Sequence, residues 1–165
     1  MSTQRYTLVM KYLEVRDSSN GKGIFVLKGF ISNEAIYEVR GQLISCNEDD
    51  EVEQSIRDNT FRFDEEKYLS PQGELGDFQN HSCEPNAGVF KINKNLFIVA
   101  ICDIEIGEEV LIDYSTILAS DDVWEMKCHC GAKVCRKIIK QFRTLPQTIQ
   151  DTYLLLNVVP PYILN

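Results

Sequence analysis

A chain of 165 residues, 44% of them hydrophobic, is long enough to close one domain around a real core and too short for a second full one. Seventeen Lys and Arg against 25 Asp and Glu leave a net charge of -8, which repels a phosphate backbone and favours basic partners such as lysine-rich peptides over nucleic acid. No apolar run approaches the ~18 residues of a membrane span, and the opening MSTQRYTLVMKYLEVRD lacks the apolar centre of a signal peptide. The expectation is a protein of the cytoplasm or nucleus, with no membrane segment.

In chain order, short strands separated by turn signals dominate. RYTLVMKYLEV alternates Tyr6, Leu8, Met10 and Tyr12 on one face, and GIFVLKGF follows the Gly21-Lys22-Gly23 turn. EAIYEV at 34–39 and NTFRF at 59–63 read as further strands. AGVFKINKNLFIVAICDI at 87–104 reads as a hairpin turning at Asn93-Lys94-Asn95, and EEVLIDY at 108–114 as one more strand after the Gly107 turn. Two stretches carry helix signals: an acidic one near Asp49 to Arg57, and one from Thr144, as N-cap, to Asn157, with Pro146 tolerated in its first turn. The outline is a mainly β domain with a helical C-terminal tail.

Six cysteines without a secretory signal suggest metal more than disulfides, because Cys128, Cys130 and Cys135 crowd into eight residues. CHCGAKVC presents three thiolates within reach of one tetrahedral ion, and a structural zinc site is normally closed by a fourth ligand. His129 lies between two of the thiols and must turn inward to serve. Cys83 is the better candidate, provided that the loop NHSC at 80–83 packs against the tail. A nucleophilic Cys83 activated by His81 is the competing reading, opposed by the negative Glu84, by Pro85 and by the lack of a helix N-terminus. Cys46 and Cys102 stand apart and read as ordinary small residues.

NHSCEPN at 80–86, GEEVLIDY at 107–114 and CHCGAKVC at 128–135, in that order, resemble the SET-domain protein lysine methyltransferases that carry a post-SET cysteine tail. GKGIFVLKGF at 21–30 resembles the first glycine motif of that family. FRTLPQTIQDTYLLLNVVPPYILN, the stretch 142–165, resembles the C-terminal extension of its compact, bacterial-type members. The resemblance implies a SET-domain fold of small curved sheets with a C-terminal pseudoknot: a SET domain at 1–124, a zinc-binding post-SET segment at 125–141 and a helical extension at 142–165.

It also implies a chemistry. S-adenosylmethionine would be the cosubstrate, with Lys22 and Gly23 at its methionine end, Asn80 and His81 holding it through backbone and amide contacts, Phe78 beside it and Ile139 near the adenine. Structural zinc would be held by Cys83, Cys128, Cys130 and Cys135, and Asn86 would lock the knot. Tyr114 would be the central phenol of methyl transfer to a lysine amine, Tyr68 the second channel tyrosine, and a basic, lysine-containing protein or peptide the partner. One departure is Ile112, where many relatives carry Phe or Tyr, which bears on how many methyl groups are added. A noncatalytic, zinc-stapled interaction module is the alternative, supported by Ile112 and opposed by Tyr114, Asn80 and His81. No Gly-x-Gly-x-x-Gly joins a strand to a helix, so a Rossmann cofactor site is not expected.

Overall fold

The computed structural model describes residues 11–45 and 59–165. Residues 5–10 of the expected first strand, Cys46 and the acidic stretch Asp49 to Arg57 lie outside the described residues. Among those described, twelve short strands form five small sheets.

The hairpin β1 (Leu13–Ser18) and β2 (Gly21–Val26) pairs Leu13 with Val26 at its open end and Ser18 with Gly21 at the turn. A second sheet runs in the order β3 (Ala35–Val39), β9 (Asn95–Ala100), β8 (Ala87–Ile92). The β8–β9 hairpin turns through Asn93 and Lys94, since Ile92 pairs with Asn95. Asn93 takes the left-handed φ of 58° that a tight turn needs and that Asn tolerates. β4 (Gln42–Ser45), β6 (Lys67–Ser70) and β5 (Phe61–Arg62) form the third sheet, in that order.

Two-residue pairs complete the set. β7 (Asn80–His81) runs parallel to β10 (Leu111–Ile112), and β11 (Met126–Lys127) runs antiparallel to β12 (Ile138–Ile139). A parallel pair needs a long crossover, and the β8–β9 hairpin provides it here. EEVLIDY, expected as one strand, divides its hydrogen bonds between two partners. Val26 N donates to the Glu108 carbonyl at 3.0 Å and Val110 N to Ile24 O at 2.8 Å, after which Leu111 and Ile112 turn to β7. Asn86 holds that junction: its Nδ2 donates to the Glu109 carbonyl and its Oδ1 accepts from Leu111 N, both at 2.8 Å.

The main core gathers Ile24, Val26, Val89, Leu96, Ile98, Val110 and Ile112 under the hairpins. A second apolar cluster, with Phe142, Leu145, Tyr153, Val158 and Tyr162, anchors the C-terminal stretch. Its helix, α1 (Gln147–Leu155), starts later than the expected Thr144. Leu145 precedes a proline and is therefore held extended, at ψ 151°, so Thr144 closes a short 3-10 turn instead. No helix among the described residues is long and apolar enough to cross a membrane.

Asn86→Ala leaves one carbonyl and one amide at the β7–β10 junction without partners. The expected loss is about 2 kcal/mol of unfolding free energy, read from the urea midpoint at unchanged slope.

Candidate active site

Three groups of side chains are built outward from the β7–β10 pair. The first is a slot beside β2. Asn80 Nδ2 donates to the Lys22 carbonyl at 2.9 Å and to Glu109 Oε1 at 2.7 Å, while the Ser18 hydroxyl donates to Glu109 Oε2 at 2.9 Å. Gly23 makes the approach possible: a side-chain carbon there would lie 1.9 Å from Glu109 Oε1. The Lys22 ammonium is exposed and faces Asp17 at 3.8 Å, so Lys22 enters the slot through its carbonyl alone.

The second group surrounds Tyr114. Its hydroxyl donates to the carbonyl of Gln79, the residue before Asn80, and its backbone N donates to His81 Nδ1 at 3.1 Å. Burial, with the charge of Glu109 adding to it, raises the phenol above its ordinary pKa, so it stays protonated. The rings of His81 and Trp124 lie at 5.2 and 6.2 Å from the Tyr114 ring. Tyr114, Trp124, Gln79 and Tyr68 line a cavity of about 570 Å³.

Tyr68 is held in that wall by charges that the sequence reading missed. Its hydroxyl donates to Asp122 Oδ1 and accepts from Arg62 Nη1 at 3.1 Å. The Arg62 side chain is only 3% exposed; it also pairs with both carboxylate oxygens of Asp121 at 3.2 Å and donates to the carbonyls of Asp64 and Glu65. The available signal was a charged residue set between the two phenylalanines of NTFRF.

The third group is thiol-rich. Ligand atoms of His81, Cys83, Cys128 and Cys130 all lie within 4.8 Å of one another, and Cys135 Sγ is 3.6 Å from Cys128 Sγ. Cys83 Sγ is 3.8 Å from Cys128 Sγ and 3.4 Å from His81 Nε2. His129 is exposed, as its place between two thiols suggested. Burial draws the His81 imidazole down to about 4, with Asp113 opposing and Arg136 assisting. The neutral ring accepts from Tyr114 N at Nδ1 and therefore carries its proton on Nε2, facing Cys83. His81 turns its side chain to the thiols and leaves only its backbone for the slot.

Behind the thiols, the wholly buried Asp113 joins three parts of the chain. It accepts from Arg136 Nη2 of the cysteine tail at 2.7 Å, from Tyr153 OH of α1 at 2.8 Å and from Ser115 N at 3.0 Å. Arg136 N lies 3.4 Å from Cys83 Sγ, so the same residue touches the thiols and the carboxylate.

The remaining expected positions pack around these groups. Phe78 ends a 3-10 turn, Leu75–Phe78, and packs partly buried on the main core. Ile139 is wholly buried with Cys83 and Cys128, against which Tyr114 and Trp124 also pack. Ile112 is likewise wholly buried in the main core, whereas Ile117 and Leu118 line the cavity.

Residues 21–115, which include the slot, the β7–β10 pair and Tyr114, match the sequence model of the SET domain. The chain belongs to the SET-domain family. The tail cysteines of its thiol cluster, beyond the matched SET segment, fit the post-SET pattern. Over 133 residues the chain is 30% identical to the H3 lysine-4 specific histone-lysine N-methyltransferase of Cryptococcus neoformans, covering 73% of this chain and 9% of that protein. It is also 30% identical, over 135 residues each, to histone-lysine N-methyltransferase trithorax of Drosophila virilis and histone-lysine N-methyltransferase 2B of Homo sapiens. Each alignment covers 75% of this chain, and 3% and 5% of those proteins. The SET-domain chain thus spans less than a tenth of the length of these relatives.

Arg136→Met strands the Asp113 carboxylate in the interior of this SET domain without its counter-charge. The expected cost is about 3 kcal/mol in urea unfolding. Tyr153→Phe, which removes one neutral donor from the same carboxylate, costs about 1 kcal/mol.

Proposed function

We propose that this SET domain transfers a methyl group from S-adenosylmethionine to the side-chain amine of lysine in a basic protein or peptide, in the cytoplasm or nucleus. The observation that carries the reading is the Gln79–Asn80 peptide. Its first residue takes the Tyr114 hydroxyl at the cavity and its second organises the slot against Lys22 and Gly23. A cofactor slot and a phenol-lined cavity are therefore one residue apart along the chain. Methyl transfer needs that adjacency, because donor and acceptor must meet in line.

The slot suits the methionine end of S-adenosylmethionine: the Lys22 carbonyl and the Glu109 carboxylate accept, Asn80 donates, and the missing Cβ of Gly23 leaves the approach open. When bound, this cosubstrate supplies an electrophilic methyl on a sulfonium. The chain supplies alignment and desolvation. The Tyr114 proton is committed to the Gln79 carbonyl, which leaves the phenolic lone pairs to accept an N–H of the incoming amine or a polarised C–H. Its raised pKa makes it a director rather than a base. The aromatic wall of Tyr114 and Trp124 disfavours the ammonium form, while the exposed carboxylates of Asp121 and Glu125 at the cavity draw a basic substrate in. Tyr68, fixed by Arg62 and Asp122, keeps the wall from collapsing.

Cys83, Cys128, Cys130 and Cys135 form the zinc set in this reading, with the ion stapling the tail to the loop after β7. Zn–S bonds near 2.3 Å set tetrahedral edges of roughly 3.8 Å. The sulfur separations of 3.8 and 3.6 Å fit them. A ligating Nε2 would require a proton on Nδ1 of His81, where the Tyr114 amide already donates, so His81 instead donates to the Cys83 sulfur and supports it. In this division residues 1–124 carry the chemistry, 125–141 the metal and 142–165 the support. The noncatalytic reading rested on Ile112, and it loses that support because Ile112 belongs to the core instead of the cavity.

Purified protein is expected to hold one zinc per chain by metal analysis. Cys135→Ala abolishes binding, whereas His81→Gln keeps the stoichiometry; loss of zinc in His81→Gln alone would reverse the ligand assignment. Tyr114→Phe is expected to lower turnover on a lysine-peptide library about 100-fold, equivalent to about 2.7 kcal/mol, at unchanged S-adenosylmethionine affinity. Full turnover in that variant would overturn the catalytic role.

A further inference from the structure

The cavity lies between two walls. One is the β4–β6–β5 sheet, which supplies Ile44, Arg62 and Tyr68 and shares no strand with the other sheets; the other runs through Gln79, Tyr114, Asp122 and Trp124. VVPPYILN at 158–165 ties the two walls together although none of its residues lines the cavity. Its two prolines fix φ at the entry to a 3-10 turn, Pro161–Ile163, in which Tyr162 and Ile163 are buried. The Tyr162 hydroxyl donates to the Arg62 carbonyl at 3.0 Å. The Lys91 ammonium of β8 lies 4.9 Å from the Tyr162 ring and 4.1 Å from the Phe63 ring, and donates to the Phe63 carbonyl. Asn165 spans the gap: its Nδ2 donates to Glu65 Oε1 at 3.4 Å, and its carbonyl accepts from the hydroxyl of Ser120, two residues before Asp122, at 2.9 Å.

We infer that Tyr162 is a positioning residue for the methyl acceptor: by holding the Arg62 backbone it keeps the Tyr68 wall at the spacing from Tyr114 that an incoming lysine side chain requires. The inference rests on the reading of the cavity as the lysine site. Arg62 is the point of leverage, because its carbonyl takes Tyr162 while its guanidinium takes Tyr68, Asp121 and Asp122. Release of the carbonyl lets the sheet drift from the opposite wall. A peptide then binds only the fraction of chains with the wall in place, and its apparent affinity falls by that fraction. Once bound, it holds the wall closed and reacts at the usual rate. The slot draws on Ser18, Lys22, Asn80 and Glu109, none of which belongs to this sheet, so cosubstrate binding is indifferent to the drift.

The test separates acceptor binding from everything else. Steady-state kinetics with the fastest peptide of a lysine-peptide library, and calorimetric titration of S-adenosylhomocysteine, compare the zinc-loaded chain with Tyr162→Phe and with Tyr162→Phe/Ser120→Ala. Tyr162→Phe keeps the ring beside Lys91 and removes one hydrogen bond, so peptide KM is expected to rise about 5-fold while kcat and S-adenosylhomocysteine affinity stay within about twofold. The double variant, which also frees Asn165 from the Ser120 side, raises KM further with the same split. Unchanged KM in both variants, a fall in kcat in place of the KM rise, or a KM rise matched by an equal loss of S-adenosylhomocysteine affinity overturns the inference and leaves Tyr162 a packing residue. An unsubstituted chain that turns over no peptide of the library removes the methyl-transfer reading itself, and the inference with it.

Discussion

The parallel contact between Asn80–His81 and Leu111–Ile112 is two residues long, yet the slot, the cavity and the thiol cluster all depend on it. So short a ladder has little stability of its own. Asn86 extends it by giving its side-chain amide to the backbone on either side of Val110, in effect acting as a further strand residue. Ser82 N adds another bond to Ile112 O at 2.9 Å. With the two segments in register, alternate residues are sent to different tasks: Asn80 to the slot, His81 to the thiols, and Tyr114, just past the ladder, to the cavity.

Two buried ionic groups carry this geometry outward. Asp113 is shared by the cysteine tail and α1, so both are fixed relative to the tyrosine that follows it in sequence. Arg62 does the same on the far side of the cavity, where its carbonyl also accepts from Tyr162 of the C-terminal stretch at 3.0 Å. Desolvating such charges costs much of what their attraction returns, so their contribution lies less in net stability than in permitting one arrangement. The apolar clusters alone could slide; a carboxylate that needs three particular donors cannot.

What could be read from the sequence follows the range of the forces involved. The β8–β9 hairpin was legible because alternation and a tight Asn-Lys turn are local, and the thiol cluster because ligand spacing is local. The family resemblance located Gly23, Asn80, Cys83 and Tyr114, and the structure brings Gly23 to Asn80 and Cys83 to the tail thiols. Strands of two residues leave no period, so β7, β11 and β12 could not be seen, and a segment that changes partners midway, as 108–114 does where β10 begins, reads as a single strand. The Arg62–Asp122 and Asp113–Arg136 pairs join residues 60 and 23 positions apart, and in sequence each looks like ordinary surface charge. Glu109 was hidden in the same way, within a motif read for its glycine and its tyrosine.

If one short ladder organises both the slot and the cavity, a ligand in the slot must be felt on both of its strands. Amide hydrogen exchange with and without S-adenosylmethionine tests this directly. The account predicts slowed exchange in residues 21–24, 80–82 and 109–114 together, with the last segment protected although Glu109 alone in it reaches the slot. Protection confined to 21–24, or no change in any of the three segments at saturating ligand, would contradict it.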